Sequence, residues 1–147
     1  MGKFTEISSE QVANLSLDSL YDSDQPPLID ALTRLLATPA GRAWAISGAQ
    51  GLQGVVWFSV VQDEAEIIDI RVGERFQRTG IGESLLTQSF EKLRLSEIQS
   101  VFLEVQSSNT AALALYEKLG FSMIGRRENY YKTAAGPEDA LMMRCDW

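Results

Sequence analysis

The chain has 147 residues, of which 45% are apolar and 22% charged, a balance that predicts a single domain over residues 1–147 with a proper hydrophobic core. It contains no histidine and one cysteine, which excludes internal disulfides, multi-cysteine zinc sites, histidine metal sites and Ser-His-Asp or Cys-His catalysis. A net charge of −7, no apolar run near the ~20 residues that cross a bilayer and no signal-peptide pattern predict a cytoplasmic protein without nucleic-acid or membrane partners.

Residues 4–7 suit a short strand, and Ser8 or Ser9 caps a predicted helix that runs to about Leu20, with Glu10 and Gln11 in its first turn. The polar stretch 22–27 ends in two prolines and forms a break. Leu28, Ile29, Leu32, Leu35 and Leu36 then recur at helical spacing as far as Pro39, and the prolines suit the start of that second helix. Strands are predicted over 43–47 and 54–61, joined by Gly48-Ala49-Gln50-Gly51, and over 66–72 after a turn at Asp63-Glu64. A helix over 81–95 places Ile81, Leu85, Leu86, Phe90 and Leu93 on one side and Gln88, Glu91 and Lys92 on the other. Strand 101–106 and a helix over 109–119, stopped by Gly120, follow; strands 121–125 and 140–145, separated by a long loop, finish the chain. The order β-α-α-β-β-β-α-β-α-β-β predicts an α+β fold with a mixed sheet.

The junction between strand 66–72 and helix 81–95 carries Gln77-Arg78-Thr79-Gly80-Ile81-Gly82. The first N–H groups of a helix are unpaired and its dipole is positive there, so the junction suits a phosphate, and glycine lets the backbone approach it. Arg71, Arg75 and Arg78 cluster around this loop despite the acidic background, which favours anion binding over a merely solvated face. In the 101–106 strand Phe102, Glu104 and Gln106 share a face. A carboxylate in mid-strand is costly unless hydrated or paired, so Glu104 is either half of a structural ion pair or a base facing a cleft. Asn109 is a good N-cap, and Tyr116, about 10 Å further along the same helix face, suits either the core or a site. Arg71 either points outward toward a phosphate or pairs with Asp69 on its own face. Cys145 suits a small buried hydrophobe, and Trp44, Trp57 and Trp147 suit packing roles.

The glycine hexapeptide resembles the acetyl-CoA pyrophosphate loop of the GNAT superfamily of N-acetyltransferases. Leu103-Glu104-Val105, Ser108-Asn109, Ala114-Leu115-Tyr116-Glu117-Lys118-Leu119-Gly120-Phe121, Asn129-Tyr130-Tyr131 and Glu138-Asp139-Ala140 look like its RimI-type branch, the ribosomal-protein-alanine N-acetyltransferases. The resemblance covers roughly residues 66–144. It implies a GNAT fold, a twisted, mostly antiparallel sheet flanked by four helices. It implies acetyl-CoA as co-substrate, no metal, and direct transfer to the N-terminal α-amine of a ribosomal protein that begins with alanine. By the same resemblance Glu104 is the proton acceptor and Tyr116 the acid for the leaving thiolate. Arg78, Thr79, Gly80, Ile81, Gly82 and Glu83 form the pyrophosphate site, and Asn109 contacts CoA. The backbone of Ile70, Arg71 and Val72 supplies the oxyanion donor and pairs with the pantetheine amides. The loop after Tyr130 and Tyr131 borders the peptide site.

An α-amine, with pKa about 7.7–8.0, is roughly a tenth neutral at pH 7, whereas a lysine amine needs nearly three more units of help. The α-amine is therefore the easier acceptor. The alternatives are a GNAT that acetylates a small amine or a protein lysine, and a non-catalytic acyl-CoA-binding module. A dinucleotide-binding domain fits poorly, because no second βαβ half is present and the third glycine is missing.

Overall fold

Residues 2–21 and 26–147 are described by a computed structural model. In chain order the elements are β1 (Lys3–Glu6), α1 (Ser9–Val12), α2 (Pro26–Leu36), β2 (Gly41–Gly48), β3 (Gly51–Val61) and β4 (Glu64–Val72). They continue through α3 (Ile81–Leu95), β5 (Ser100–Gln106), α4 (Thr110–Lys118), β6 (Ser122–Thr133) and β7 (Gly136–Asp146). This is the predicted order. The seven strands form one sheet in the order β1-β2-β3-β4-β5-β7-β6, antiparallel except between β4 and β5.

Both faces of the sheet are covered, which explains the near-continuous apolar run of β3. Val55 and Trp57 point into a core with Ile7, Val12 and Leu32, on the α1–α2 side. Val56 and Phe58 point the other way, into a core with Leu85, Leu86 and Leu103 beneath α3 and α4. The apolar stripe predicted for α3 is buried as expected, from Ile81 through Leu93.

Two expectations need correction. The helix predicted from Ser8 to about Leu20 stops at Val12, held by a capping box in which Ser8 and Gln11 exchange side-chain-to-backbone hydrogen bonds. Asn14, Ser16, Asp18 and Ser19 follow, residue types that favour local hydrogen bonds over a continued helix, and Ser19 bonds back to the Ser16 carbonyl at 3.1 Å. The chain takes a 3₁₀ turn over Leu17–Ser19 instead, which buries Leu17 and Tyr21. The long loop expected between the last two strands is a hairpin, with only residues 134 and 135 between β6 and β7. β6 is an edge strand whose residues are mostly exposed, so it lacks the apolar alternation by which a strand is recognised. A bulge between Arg127 and Tyr131 is pinned by Asp139, whose carboxylate accepts from Arg126 at 2.6 Å and from the Asn129 N–H at 2.9 Å. The predicted break at 22–25 lies outside the described residues.

One irregularity positions everything that follows. β4 and β5 pair only from Glu64–Ser100 to Glu66–Phe102 and then part, while β4 bulges opposite Trp57 and Phe58.

Candidate active site

On one side of the split stands the glycine loop. After β4 the chain makes a 3₁₀ turn over Glu74–Phe76 and reaches Gly80, whose φ of 87° lies in the left-handed region that glycine adopts without strain. The loop is braced from within: Gln77 Nε2 donates to the Val72 carbonyl at 3.1 Å and the Thr79 hydroxyl to the Phe76 carbonyl. Ser84 makes the first intrahelical bond, to the Gly80 carbonyl at 3.0 Å, which leaves the N–H groups of Ile81, Gly82 and Glu83 in the position of orphan helix donors. A Cβ at Gly80 would meet nothing within 4 Å, and one at Gly82 would lie 3.7 Å from Val72 and Leu115. The loop therefore looks into open space, a cleft of about 500 Å³ lined by Val72, Arg78, Gly80, Gly82, Ala112 and Leu115. Backbone donors at one end and an apolar wall at the other suit a phosphate joined to a long, mostly neutral arm.

The predicted cofactor residues are not equivalent in this cleft. Ile81 is buried beneath the loop. Glu83 lines the cleft and bonds Lys118 Nζ at 3.0 Å, tying α3 to α4 across it. Asn109 caps α4, its side chain accepting from the Ala112 N–H at 3.2 Å. Of the three arginines only Arg78 lines the cleft. Arg75 bonds Gln50 at 2.5 Å, and Arg71 pairs with Asp69 at 3.2 Å, so the second expectation for Arg71 is the one the structure realises. Arg71 borders a hollow with Asp18, Tyr21 and Gln77.

On the other side of the split Glu104 projects from the middle of β5, with Arg127 Nε 3.0 Å from its Oε1. Glu66, on β4, shares that face. Burial, and then the neighbouring Glu104 charge, raises the Glu66 carboxyl above its ordinary range, with Arg127 opposing. Burial and then the Glu104 charge raise the Tyr131 hydroxyl, and Tyr130 packs edge-on against Tyr131 beneath Arg127. These two tyrosines lie on β6 rather than in a loop. Tyr116, on α4, is buried beside Phe121, and burial followed by the Asp69 charge pushes its hydroxyl up to about 12. The hydroxyl therefore stays protonated throughout the neutral range, the state from which an acid must start.

One constellation escaped sequence reasoning. The Tyr21 hydroxyl donates to Asp69 Oδ2 at 2.6 Å and accepts from the Trp57 indole N–H at 2.9 Å, while the Arg71 guanidinium lies 5.0 Å from the centre of the Tyr21 ring. Trp57 thus does more than pack. The available signal was two opposite charges, Asp69 and Arg71, alternating with apolar residues at the end of β4.

The family model for the acetyltransferase (GNAT) family matches residues 9–121. The [ribosomal protein bS18]-alanine N-acetyltransferase of Salmonella typhimurium is 48% identical over 84 residues, 57% of this chain and 57% of that protein. The matched stretch thus spans little more than half of that relative's length. The N-alpha-acetyltransferase RimI of Mycobacterium tuberculosis is 33% identical over 150 residues, covering 99% of this chain and 91% of the relative. Among solved structures, the ribosomal-protein-S18-alanine N-acetyltransferase from Escherichia coli superposes with a TM-score of 0.87 at 28% identity, over 99% of this chain and 94% of that one. With its sheet split between β4 and β5 and a glycine loop opening α3, the chain belongs to the GNAT acetyltransferase family.

Proposed function

We propose that the chain is a single catalytic domain that transfers the acetyl group of acetyl-CoA to the N-terminal α-amine of a ribosomal protein beginning with alanine, in the cytoplasm, by direct transfer without a metal. The observation that carries this reading is the split itself: a phosphate-type loop on one side, Glu104 on the other and the Tyr116 hydroxyl beneath. The names of the Salmonella and Mycobacterium relatives support the acceptor.

In this reading the loop N–H groups and Arg78 hold the pyrophosphate, and the N-cap Asn109 fixes the start of α4 beside it. Acetyl-CoA supplies an activated acyl group on a thiol leaving group. The backbone of Ile70, Arg71 and Val72, free of β5 on its inner edge, offers donors to the acyl oxygen and partners to the pantetheine amides. Glu104 accepts the proton that the attacking amine sheds, and Tyr116 gives its own to the departing thiolate. The test is a panel of acceptors incubated with acetyl-CoA while thiol release is followed: alanine-initiated peptides, polyamines, aminoglycosides and lysine peptides blocked at the N-terminus. Release with the alanine peptide alone is expected. Release only with a small amine or lysine would replace the acceptor, and tight CoA binding with no release for any amine would replace the enzyme by a binding module.

A further inference from the structure

The feature that this reading leaves unused is the Asp69 carboxylate. Asp69 pairs with Trp57 and Glu66 with Ser59, so the bulge in β4 turns two residues three apart onto one face. The Asp69 Oδ2 atom is fully engaged, accepting from Tyr21 at 2.6 Å and from Arg71 Nε at 3.2 Å. Tyr21 is itself buried and fixed by the Trp57 N–H. The hydrogen bonds of Asp69 among the described residues all run through Oδ2 and none through Oδ1, and 17% of the side chain remains exposed. A carboxylate held this firmly through one oxygen presents the other as a preorganised acceptor.

Its position matters equally. Beyond Glu66 β4 has left β5, so Asp69 borders the split, and its charge reaches the Tyr116 hydroxyl on α4. On this side Glu66, Asp69 and Glu104, with Asp18 at the rim of the hollow, outnumber Arg71 and Arg127. We propose that Asp69 anchors the acceptor's ammonium group, its Oδ1 taking an N–H of the incoming cation, and that Glu104 on the facing strand is thereby left for the proton. The inference rests on the acetyl-transfer reading above and adds the substrate class to it: a primary amine on a neutral or cationic carrier. An anionic carrier would add to the negative charge already in excess.

Calorimetry in the presence of CoA, with an alanine-initiated peptide and the same peptide bearing propionyl in place of alanine, isolates the ammonium. The wild type should prefer the amine by about tenfold or more, the range of a charge-assisted hydrogen bond. Asp69→Asn can still accept from Tyr21 and should lose most of that preference at unchanged CoA affinity, whereas Glu104→Gln should keep it. A purely structural Asp69 would lower the melting temperature and leave the discrimination intact. Full preference in folded Asp69→Asn, or none in the wild type, would overturn the proposal. If Asp69→Asn fails to fold, Tyr21→Phe takes its place, with partial loss expected and no loss contradicting the proposal. If another amine binds instead of the alanine peptide, the acceptor named above fails, and the same comparison with that amine and its desamino analogue still judges Asp69.

Discussion

Arg127 meets Glu104 at its Oε1 atom, which leaves a carboxylate oxygen for a proton. Its guanidinium is half exposed, and an ion pair so open to water contributes about 0–1 kcal/mol, little enough for an arriving amine to displace. The ion-pair and general-base readings of Glu104 are therefore compatible, but they predict different losses. Glu104→Gln keeps the size and cannot accept a proton; as a base, its loss should lower kcat/KM by about 10²–10⁴ at neutral pH. Part of that loss should return above about pH 8, where an α-amine deprotonates unaided. A pH–rate profile of the folded variant checks this, and wild-type rates with a lowered melting temperature would leave only the ion pair. Tyr116→Phe should reduce kcat about 10²-fold at nearly unchanged acetyl-CoA affinity. The effect should shrink with a thioester whose thiol is more acidic; equal losses for both thioesters would mean packing alone. Glu104 could be singled out as a candidate because a carboxylate in mid-strand is chemically exceptional, and Tyr116 because its helix resembles a long family pattern. The bond from Tyr21 to Asp69 could not be foreseen, because the two lie 48 residues apart and only the fold brings them together.

Among the elements, the glycine loop makes the sharpest demand. A Cβ at Gly82 would make ordinary contact with Val72 and Leu115, whereas one at Gly80 would meet open space but strain a backbone at φ 87°, so Gly82 is the cleaner position to substitute. With a bulky residue there, acetyl-CoA affinity should fall by at least about 2 kcal/mol, roughly thirtyfold, measured by calorimetric titration. Gly41 makes the opposite kind of demand: a Cβ there would stand 2.6 Å from the Leu36 Cα at the end of α2. Gly41→Ala should destabilise the fold by about 1–3 kcal/mol, seen in chemical denaturation, because backbone has to move. The helices and inner strands were legible where one periodicity dominated, as in α3 with its single apolar stripe. The α1 region was not, since four residues of types that favour local hydrogen bonds outweigh a weak helical pattern. Nor was the β6–β7 hairpin, where backbone pairing and the Asp139 carboxylate stabilise a strand that exposes both faces.

For the molecule as a whole, buried tyrosines set an alkaline limit. Tyr116 is raised from 10.0 to about 12, and Tyr21 is raised further by burial and then by Asp69. Below pH 10 both states of the chain hold these protons and stability is undiminished; between about 10 and 12 the unfolded chain releases them and the folded one does not. Stability should fall through that window by about 2 kcal/mol for Tyr116 alone, with the slope reduced in Tyr116→Phe, as thermal unfolding against pH will measure. The parting of β4 from β5 has a consequence of another kind. Past Glu66 the inner edge of β4 has no strand beside it among the described residues, so a sheet buried on both faces carries an open seam through its centre. Amides along that seam should exchange with deuterium faster than those of β4 that face β3, although they belong to the same strand. Acetyl-CoA should slow them selectively. The bound molecule would then serve as a missing length of backbone, and the two halves of the sheet should unfold as one cooperative unit only when it is present.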